Sequence, residues 1–386
     1  MLNIPCTFYG VRLLANPSTK KPPTLHFFSF YQSSIQKMPP PAAVAVAVTG
    51  GTENHHQPPN SLSSMILKKQ KTVCVMDASG LLGFELVKTL LQRGYFVHAS
   101  LQSDSRFQGE LQNMKVQGNG DNNKNLKIFR ADLLDYHSIL DTLTDCSALF
   151  YTFEPPLEHP VYDENMAEIE VRAAHNVLEA CAQTPTVEKV IFTSSATAVV
   201  WPETHNPASS SSSSSCNVDE KSWSDINLCK KFKLWHALSK TLAEKTAWAL
   251  AMDRGVSMVS VNGGLLLDNN LRNTSAADNT KHNIPSHLPP YLKGAAEMYE
   301  RGVLVAVDLR FLVDALFSVY EEVSSYGRYL CFNHVINCQK DAVKLASMFM
   351  SSPQSLEDTR VFPQQISNKK LNKLMINFDG QFQQHQ

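Results

Sequence analysis

Three stretches of this sequence carry residue types that act on a ligand as well as fill a core. The first is Val73 to Gly83, V-C-V-M-D-A-S-G-L-L-G, in which Asp77, Gly80 and Gly83 are evenly spaced. A G-x-x-G-x-x-G turn between a strand and a helix lets backbone approach a pyrophosphate and aims helix N–H groups at the anion. Here the second and third glycines are in place and the first position holds an aspartate. A carboxylate about 5 Å from a phosphate charge, at an effective dielectric near 20, costs about 3 kcal/mol, roughly a hundredfold in affinity. The competing role for Asp77 is to cap a helix that starts near Gly80. The second stretch is Phe192-Thr193-Ser194-Ser195, which closes an apolar strand where open α/β sheets place their ligands. The third is Trp235-His236-Ala237-Leu238-Ser239-Lys240, at the start of a long helical pattern.

Other reactive side chains do not cluster in the same way. Cys74, Cys146, Cys181 and Cys229 lie in or beside apolar segments and read as buried free thiols, in a reducing compartment. Cys331 and Cys338 flank His334, but a C-x6-C pair without further ligands gives no reason to expect a metal.

The elements that position these stretches follow from periodicity. Lys71–Met76 reads as a buried strand, and Leu82, Leu86 and Leu90 continue it as a helix with Phe84, Val87 and Leu91 widening the apolar stripe. Further strands are predicted at Tyr95–Leu101, Leu126–Arg130, Ala148–Thr152, Lys189–Ser194 and Val256–Val261. Helices are predicted at Ser138–Leu143, Asp163–Gln183 and Ala237–Asp253, the last ended by Gly255. Asp104–Asn123 is polar and reads as a helix remnant and loop. Strands alternating with helices predict an α/β fold, a Rossmann-like doubly wound parallel sheet. Pro289–Glu300, Arg310–Glu322 and Lys340–Met350 read as short helices of a small C-terminal substrate lobe.

The expected organisation is a disordered leader over 1–68, a nucleotide-binding domain over 69–265, a small lobe over 266–378 and a polar tail over 379–386. An all-serine insertion occupies 209–215. At 386 residues, 43% hydrophobic and a formal net charge of −1, the chain has material for a sizeable core and no nucleic-acid footprint. No apolar run approaches the roughly 18 residues of a membrane span. The leader is acid-poor up to Glu53, as a transit peptide is, but has a single arginine and a proline cluster at Pro39–Pro41. A transit peptide would direct the chain to a plastid; otherwise the expected location is cytoplasmic. The residues give no reading of oligomeric state.

Several motifs carry a family resemblance: F-T-S-S at 192–195, D-E-K-S-W-S-D at 219–225, S-K-T-L-A-E-K-T-A-W at 239–248, N-V-L-E-A-C-A at 176–182 and G-R-Y-L-C at 327–331. Together they resemble the extended short-chain dehydrogenase/reductases, and within them the plant cinnamoyl-CoA reductase and dihydroflavonol reductase group, over about residues 71–350. The resemblance implies carbonyl reduction with NADPH by a Ser-Tyr-Lys set. A serine hydroxyl bonds the carbonyl oxygen, a tyrosine donates a proton, and a lysine lowers the tyrosine pKa while holding the ribose. Carried over by position, the serine is Ser195 and the lysine is Lys240, while His236 stands where the tyrosine belongs. The cofactor-binding set implied is Asp77, Gly80, Leu81, Leu82 and Gly83 at the turn, Gln102 and Arg106 near the 2′-phosphate, Asp132 and Leu133 at the adenine, and Lys240.

Three positions depart from the family pattern. Asp77 replaces a glycine, Gln102 replaces the arginine that reads the NADP phosphate, and His236 replaces the acid. Arg106 is the remaining basic candidate near that phosphate, against its reading as a solvated surface arginine. An imidazole starts near pKa 6.5 and a neighbouring Lys⁺ lowers it, so His236 is expected to be neutral and a weak proton source. M-D-A-S-G, R-A-D at 130–132, V-R-A-A-H-N-V-L-E-A-C-A-Q-T at 171–184, C-K-K-F-K-L-W-H-A-L-S-K at 229–240 and K-K-L-N-K-L-M at 369–375 resemble the cinnamoyl-CoA-reductase-like subgroup implicated in plant defence. The signature N-W-Y-C-Y of cinnamoyl-CoA reductases is absent. The implied function is an NAD(P)(H)-dependent oxidoreductase acting on a phenylpropanoid-type carbonyl or CoA thioester, with weakened catalysis. The alternative is a non-catalytic regulatory or defence-related protein that retains the fold.

Overall fold

In a computed structural model, residues 71–102, 107–117, 125–156, 160–203, 217–268, 288–349 and 360–383 are described. The leader, the serine insertion and Arg106 lie outside them.

The β-branched run T-V-C-V-M forms β1 (Thr72–Met76), followed by helix α1 (Leu81–Gln92). Strand β2 (Phe96–Leu101), helix α2 (Gln108–Gln117) and strand β3 (Leu126–Arg130) come next, and α2 is the helix of the expected helix remnant and loop over 104–123. Helix α3 (Tyr136–Leu143), strand β4 (Ala148–Tyr151), helix α4 (Glu164–Ala182) and strand β5 (Lys189–Ser195) repeat the unit. Asp135 and Asp163 accept backbone N–H bonds as N-caps and fix where α3 and α4 begin. Short helix α5 (Ile226–Lys231) leads to the long α6 (Trp235–Arg254) and then strand β6 (Met258–Gly263).

The remaining chain serves two layers. Strand β7 (Leu265–Leu267), helix α7 (Ala295–Glu300) and strand β8 (Val305–Asp308) come first. Then follow α8 (Leu309–Glu321), β9 (Gly327–Cys331), β10 (His334–Val335), α9 (Gln339–Ala346) and α10 (Lys369–Gln383). The last helix runs through much of the stretch expected to be a tail.

Among the described residues the large sheet has the order β3-β2-β1-β4-β5-β6-β9, with every neighbouring pair parallel. The smaller sheet, β10-β8-β7, belongs to the C-terminal part of the chain. G-R-Y-L-C, quoted above only as a motif, is the last strand of the large sheet; α10 packs beside it and against α8. Alternate residues face opposite layers: Val73, Val75, Ala99, Phe150, Ile191 and Val261 share one apolar cluster with α1, α8 and α10. The opposite face meets α3 and α6, and α4 packs between those two helices. Strand order reverses between β1 and β4, and the crevice of such a sheet opens at the C-terminal ends of those strands.

One buried ion pair ties this architecture together. Nε of Arg328 (β9) donates to Oε1 of Glu244 (α6) at 2.8 Å, with side chains 4% and 0% exposed. The same carboxylate accepts from Ser194, Ser260 and Asn262, on β5 and β6. The guanidinium stacks 3.6 Å from the Trp223 ring centroid and donates to the carbonyls of Glu220 and Ser222. Burial raises the Glu244 pKa, but the Arg328 charge and these hydrogen bonds together hold it below the ordinary carboxylate value.

Breaking a buried pair from one side leaves an uncompensated charge, so Glu244→Gln is expected to cost about 3–5 kcal/mol in urea unfolding. A depressed carboxylate pKa contributes stability above the unfolded value of about 4.3 and loses it as pH falls through the folded one. The wild type is therefore expected to lose stability below about pH 4 more steeply than Glu244→Gln.

Candidate active site

The turn after β1 brings together two of the positions that depart from the family pattern. Asp77 is 1% exposed, and its carboxylate accepts from the backbone N–H of Ser79 at 2.7 Å and from the side-chain amide of Gln102. Gln102 also donates to the carbonyl oxygen of Glu154 at 2.9 Å. Helix α1 begins at Leu81 with Gly80 as its N-cap, so Asp77 closes a turn over Ser79 and does not cap the helix. Burial raises the Asp77 pKa, with the Ser79 and Gln102 bonds pulling against it.

The two glycines serve different close approaches. A Cβ on Gly83 would stand 2.2 Å from the Asp77 carbonyl oxygen, so only glycine lets α1 pack on the turn. A Cβ on Gly80 would stand 1.8 Å from Oε1 of Glu154. The space that Gly80 keeps clear is thus filled by a carboxylate of this chain, at the end of α1 where N–H groups lack intrahelical partners. Arranged this way, with Asp77 and Glu154 at the cradle, the turn does not fit a dinucleotide pyrophosphate.

At the end of β5 the hydroxyl of Ser195 and the ring of His236 are linked through Thr197. Thr197 Oγ1 lies 3.1 Å from Ser195 Oγ and 3.0 Å from Nδ1 of His236. Ser195 also accepts from the Thr197 backbone N–H. With Thr197 donating to Ser195, Nδ1 of His236 carries the ring proton and Nε2 is left as an acceptor. Burial, and next the charge of Lys240, push the His236 pKa well below that of a free imidazole. The Tyr162 ring meets His236 edge-on, with centroids 4.8 Å apart. Tyr162 is no substitute acid, because burial and then Glu170 and Glu154 raise its pKa well above the ordinary phenol value.

Lys240 is committed to a carboxylate. Its Nζ donates to Oε1 of Glu170 at 2.6 Å, with side chains 12% and 3% exposed, and Ser239 donates to the other oxygen. The ammonium also lies 5.2 Å from the Phe153 ring centroid.

The structure thus gathers Ser195, His236 and Lys240 around one corner, and Asp77, Gly80 and Gln102 around another. Leu81, Leu82 and Gly83 form the first turn of α1. Asp132 caps its own loop by accepting from Leu134 N–H at 2.8 Å, and the Leu133 carbonyl accepts from Asn176. His334 pairs with Asp308, and Cys338 donates to Asp341, so the C-x6-C stretch is spoken for. Among the described residues no cluster of His, Cys, Asp and Glu has the arrangement of a metal site, and no helix is long and apolar enough to cross a membrane.

Sequence reasoning missed Thr197, Glu170 and Glu154. Glu170 left a signal, since it follows Met166 by one helical turn and so stands on the apolar stripe of α4, where a carboxylate calls for a cation. Thr197 stands two residues beyond Ser195, within reach of the same strand end. Glu154 gave no local signal.

Residues 74–257 match the 3-beta hydroxysteroid dehydrogenase/isomerase family. The chain is 33% identical over 315 residues to cinnamoyl-CoA reductase 1 of Petunia hybrida, spanning 80% of this chain and 88% of that protein. It is 30% identical to dihydroflavonol 4-reductase of Arabidopsis thaliana, over 81% of this chain and 80% of that one. The fold is shared with vestitone reductase from alfalfa at a TM-score of 0.54 and 23% identity, over 79% and 92% of the two chains. It is shared equally with yeast methylglyoxal/isovaleraldehyde reductase Gre2 complexed with NADPH, at a TM-score of 0.54 and 17% identity, over 79% and 92%. A parallel sheet wound in this order, a serine closing β5 and sequence identity across most of the chain agree: the protein belongs to the extended short-chain dehydrogenase/reductases, on their cinnamoyl-CoA-reductase-like branch.

Proposed function

We propose that this protein receives a phenylpropanoid-type carbonyl compound or CoA thioester beside Ser195, and reduces it far more slowly than a relative with tyrosine in place of His236. The observation that carries this reading is the Ser195–Thr197–His236 chain. Ser195 accepts from Thr197, which leaves its own proton to donate to a carbonyl oxygen. The group beyond it, a neutral imidazole held by Thr197, supplies no proton near pH 7. The site therefore polarises and positions a carbonyl but lacks an efficient acid. NADP(H) is the cofactor we assign to the branch as the hydride source, and the glycine turn must open before it can bind, which slows the reduction further.

The carboxylates at that turn favour a second reading, a non-catalytic, regulatory or defence-related protein that keeps the reductase fold. Assays with cinnamoyl-CoA-type and aldehyde substrates in the presence of NADPH separate the two. Slow wild-type turnover that Ser195→Ala abolishes and His236→Tyr raises by about tenfold or more supports weak reduction. Absence of turnover in both wild type and His236→Tyr would favour the non-catalytic protein.

The protonation state is checked separately. The His236 ring is expected to stay neutral between about pH 7 and pH 6 in an NMR titration, a range over which a free imidazole becomes mostly charged. Because its folded pKa is depressed, the contribution of this histidine to stability is present above about pH 6.5 and is lost as pH falls below it.

A further inference from the structure

The glycine turn does not merely tolerate an aspartate; it is filled. Asp77 follows β1 and Glu154 follows β4, the two strands on either side of the point where the sheet order reverses. The chains leaving these strands stay paired past their ends, with Asp77 N–H donating to the Thr152 carbonyl at 2.9 Å and Thr152 N–H to Met76 at 2.6 Å. That pairing brings the two carboxylate-bearing segments side by side over the start of α1. Gln102, at the end of β2, bridges them by donating both to the Asp77 carboxylate and to the Glu154 carbonyl. Ser79 completes the bracket, since its hydroxyl accepts from the Gln102 backbone N–H at 2.7 Å and its own N–H donates to Asp77. The Glu154 carboxylate then occupies the space over Gly80 that the missing side chain leaves.

An arginine at 102 would put a charge there; the neutral amide instead has the donors and length to join the two acidic segments. The substitutions at 77 and 102 are therefore two members of one three-residue contact. Its acidic third member comes from a loop that the sequence did not single out.

We propose that Glu154 is a built-in occupant of the dinucleotide cradle, an autoinhibitory contact held by Asp77 and Gln102 that excludes a nucleotide pyrophosphate until it is undone. The proposal rests on the reading of this turn as the family's cofactor site, and it concerns the cofactor alone, not the carbonyl compound. Two effects add: the carboxylate fills the volume the pyrophosphate needs, and its charge repels the diphosphate in a site removed from bulk water. Asp77 adds a second like charge, buried and fixed by Ser79.

Calorimetric titration of the full chain with NADPH and NADH tests this. Wild type is expected to bind NADPH only weakly, with a Kd near or above about 1 mM. Glu154→Ala, at a partly exposed loop position, is expected to bind NADPH, and Glu154→Gln, which removes the charge and keeps the size, to gain less. Adding Asp77→Gly to Glu154→Ala should tighten binding about a hundredfold further. Thermal unfolding of each variant verifies that it is folded. Wild type binding NADPH as tightly as Glu154→Ala would overturn the proposal, as would folded Glu154→Ala and Asp77→Gly/Glu154→Ala variants that still do not bind. A neutral phenylpropanoid aldehyde titrated into wild type without nucleotide reads the carbonyl site on its own, so failure of the cradle proposal leaves the functional reading standing and the reverse also holds.

Discussion

The buried pair of Glu244 and Arg328 is the contact on which the rest of the site depends. It joins a helix on one face of the sheet to its last strand, and it collects hydrogen bonds from the two strands between them. Ser194 is one of those partners and Ser195 follows it directly, so the position of the candidate serine is set by an ion pair it does not touch. The Trp223 loop lies against the same guanidinium. Three motifs that looked like separate family signatures, around Trp223, Glu244 and Arg328, are three sides of one structural brace. Their presence reports the fold and is silent about turnover.

Carboxylates recur at the places where the family would meet anions or polarise a phenol. Glu170 holds Lys240, Glu154 covers Gly80, and Asp77 sits within the turn. A lysine bound to a fixed carboxylate has part of its field cancelled and at least one donor committed, so it is a poorer ribose clamp than a lysine facing open space. It still lowers the pKa of His236, adding to the effect of burial. The altered positions reinforce one another: each anion near the glycine turn weakens its hold on a dinucleotide phosphate.

The catalytic corner shows how one substitution changes roles without breaking geometry. Histidine in place of tyrosine keeps a ring at the same helix position and still reaches the hydroxyl network through Thr197. What changes is the sign of its chemistry near neutral pH: a phenol is protonated there and can be an acid, while a buried imidazole beside an ammonium presents a lone pair. A structural likeness to working reductases is therefore compatible with chemistry that differs at its proton source.

Much of the fold was legible in the residues. The strand at Leu126–Arg130 matches the sequence reading, and most other elements through residue 265 fall within a few residues of it, because burial on one face or both leaves a period of two or 3.6 in a local window. The three departures at 77, 102 and 236 were legible as well, since each is a change of residue type against a motif. Legible only in three dimensions was how they pair. Asp77 meets Gln102 25 positions away, Gln102 meets Glu154 52 away, Lys240 meets Glu170 70 away, and Arg328 meets Glu244 84 away. The return of Gly327–Cys331 to the large sheet was hidden for the same reason. Local pattern encodes which face of an element is buried, but not which distant element buries it. By itself the sequence determined a nucleotide-type turn with the wrong charge; the tertiary structure decided that the charge has company, because only strand order places the ends of β1, β2 and β4 side by side.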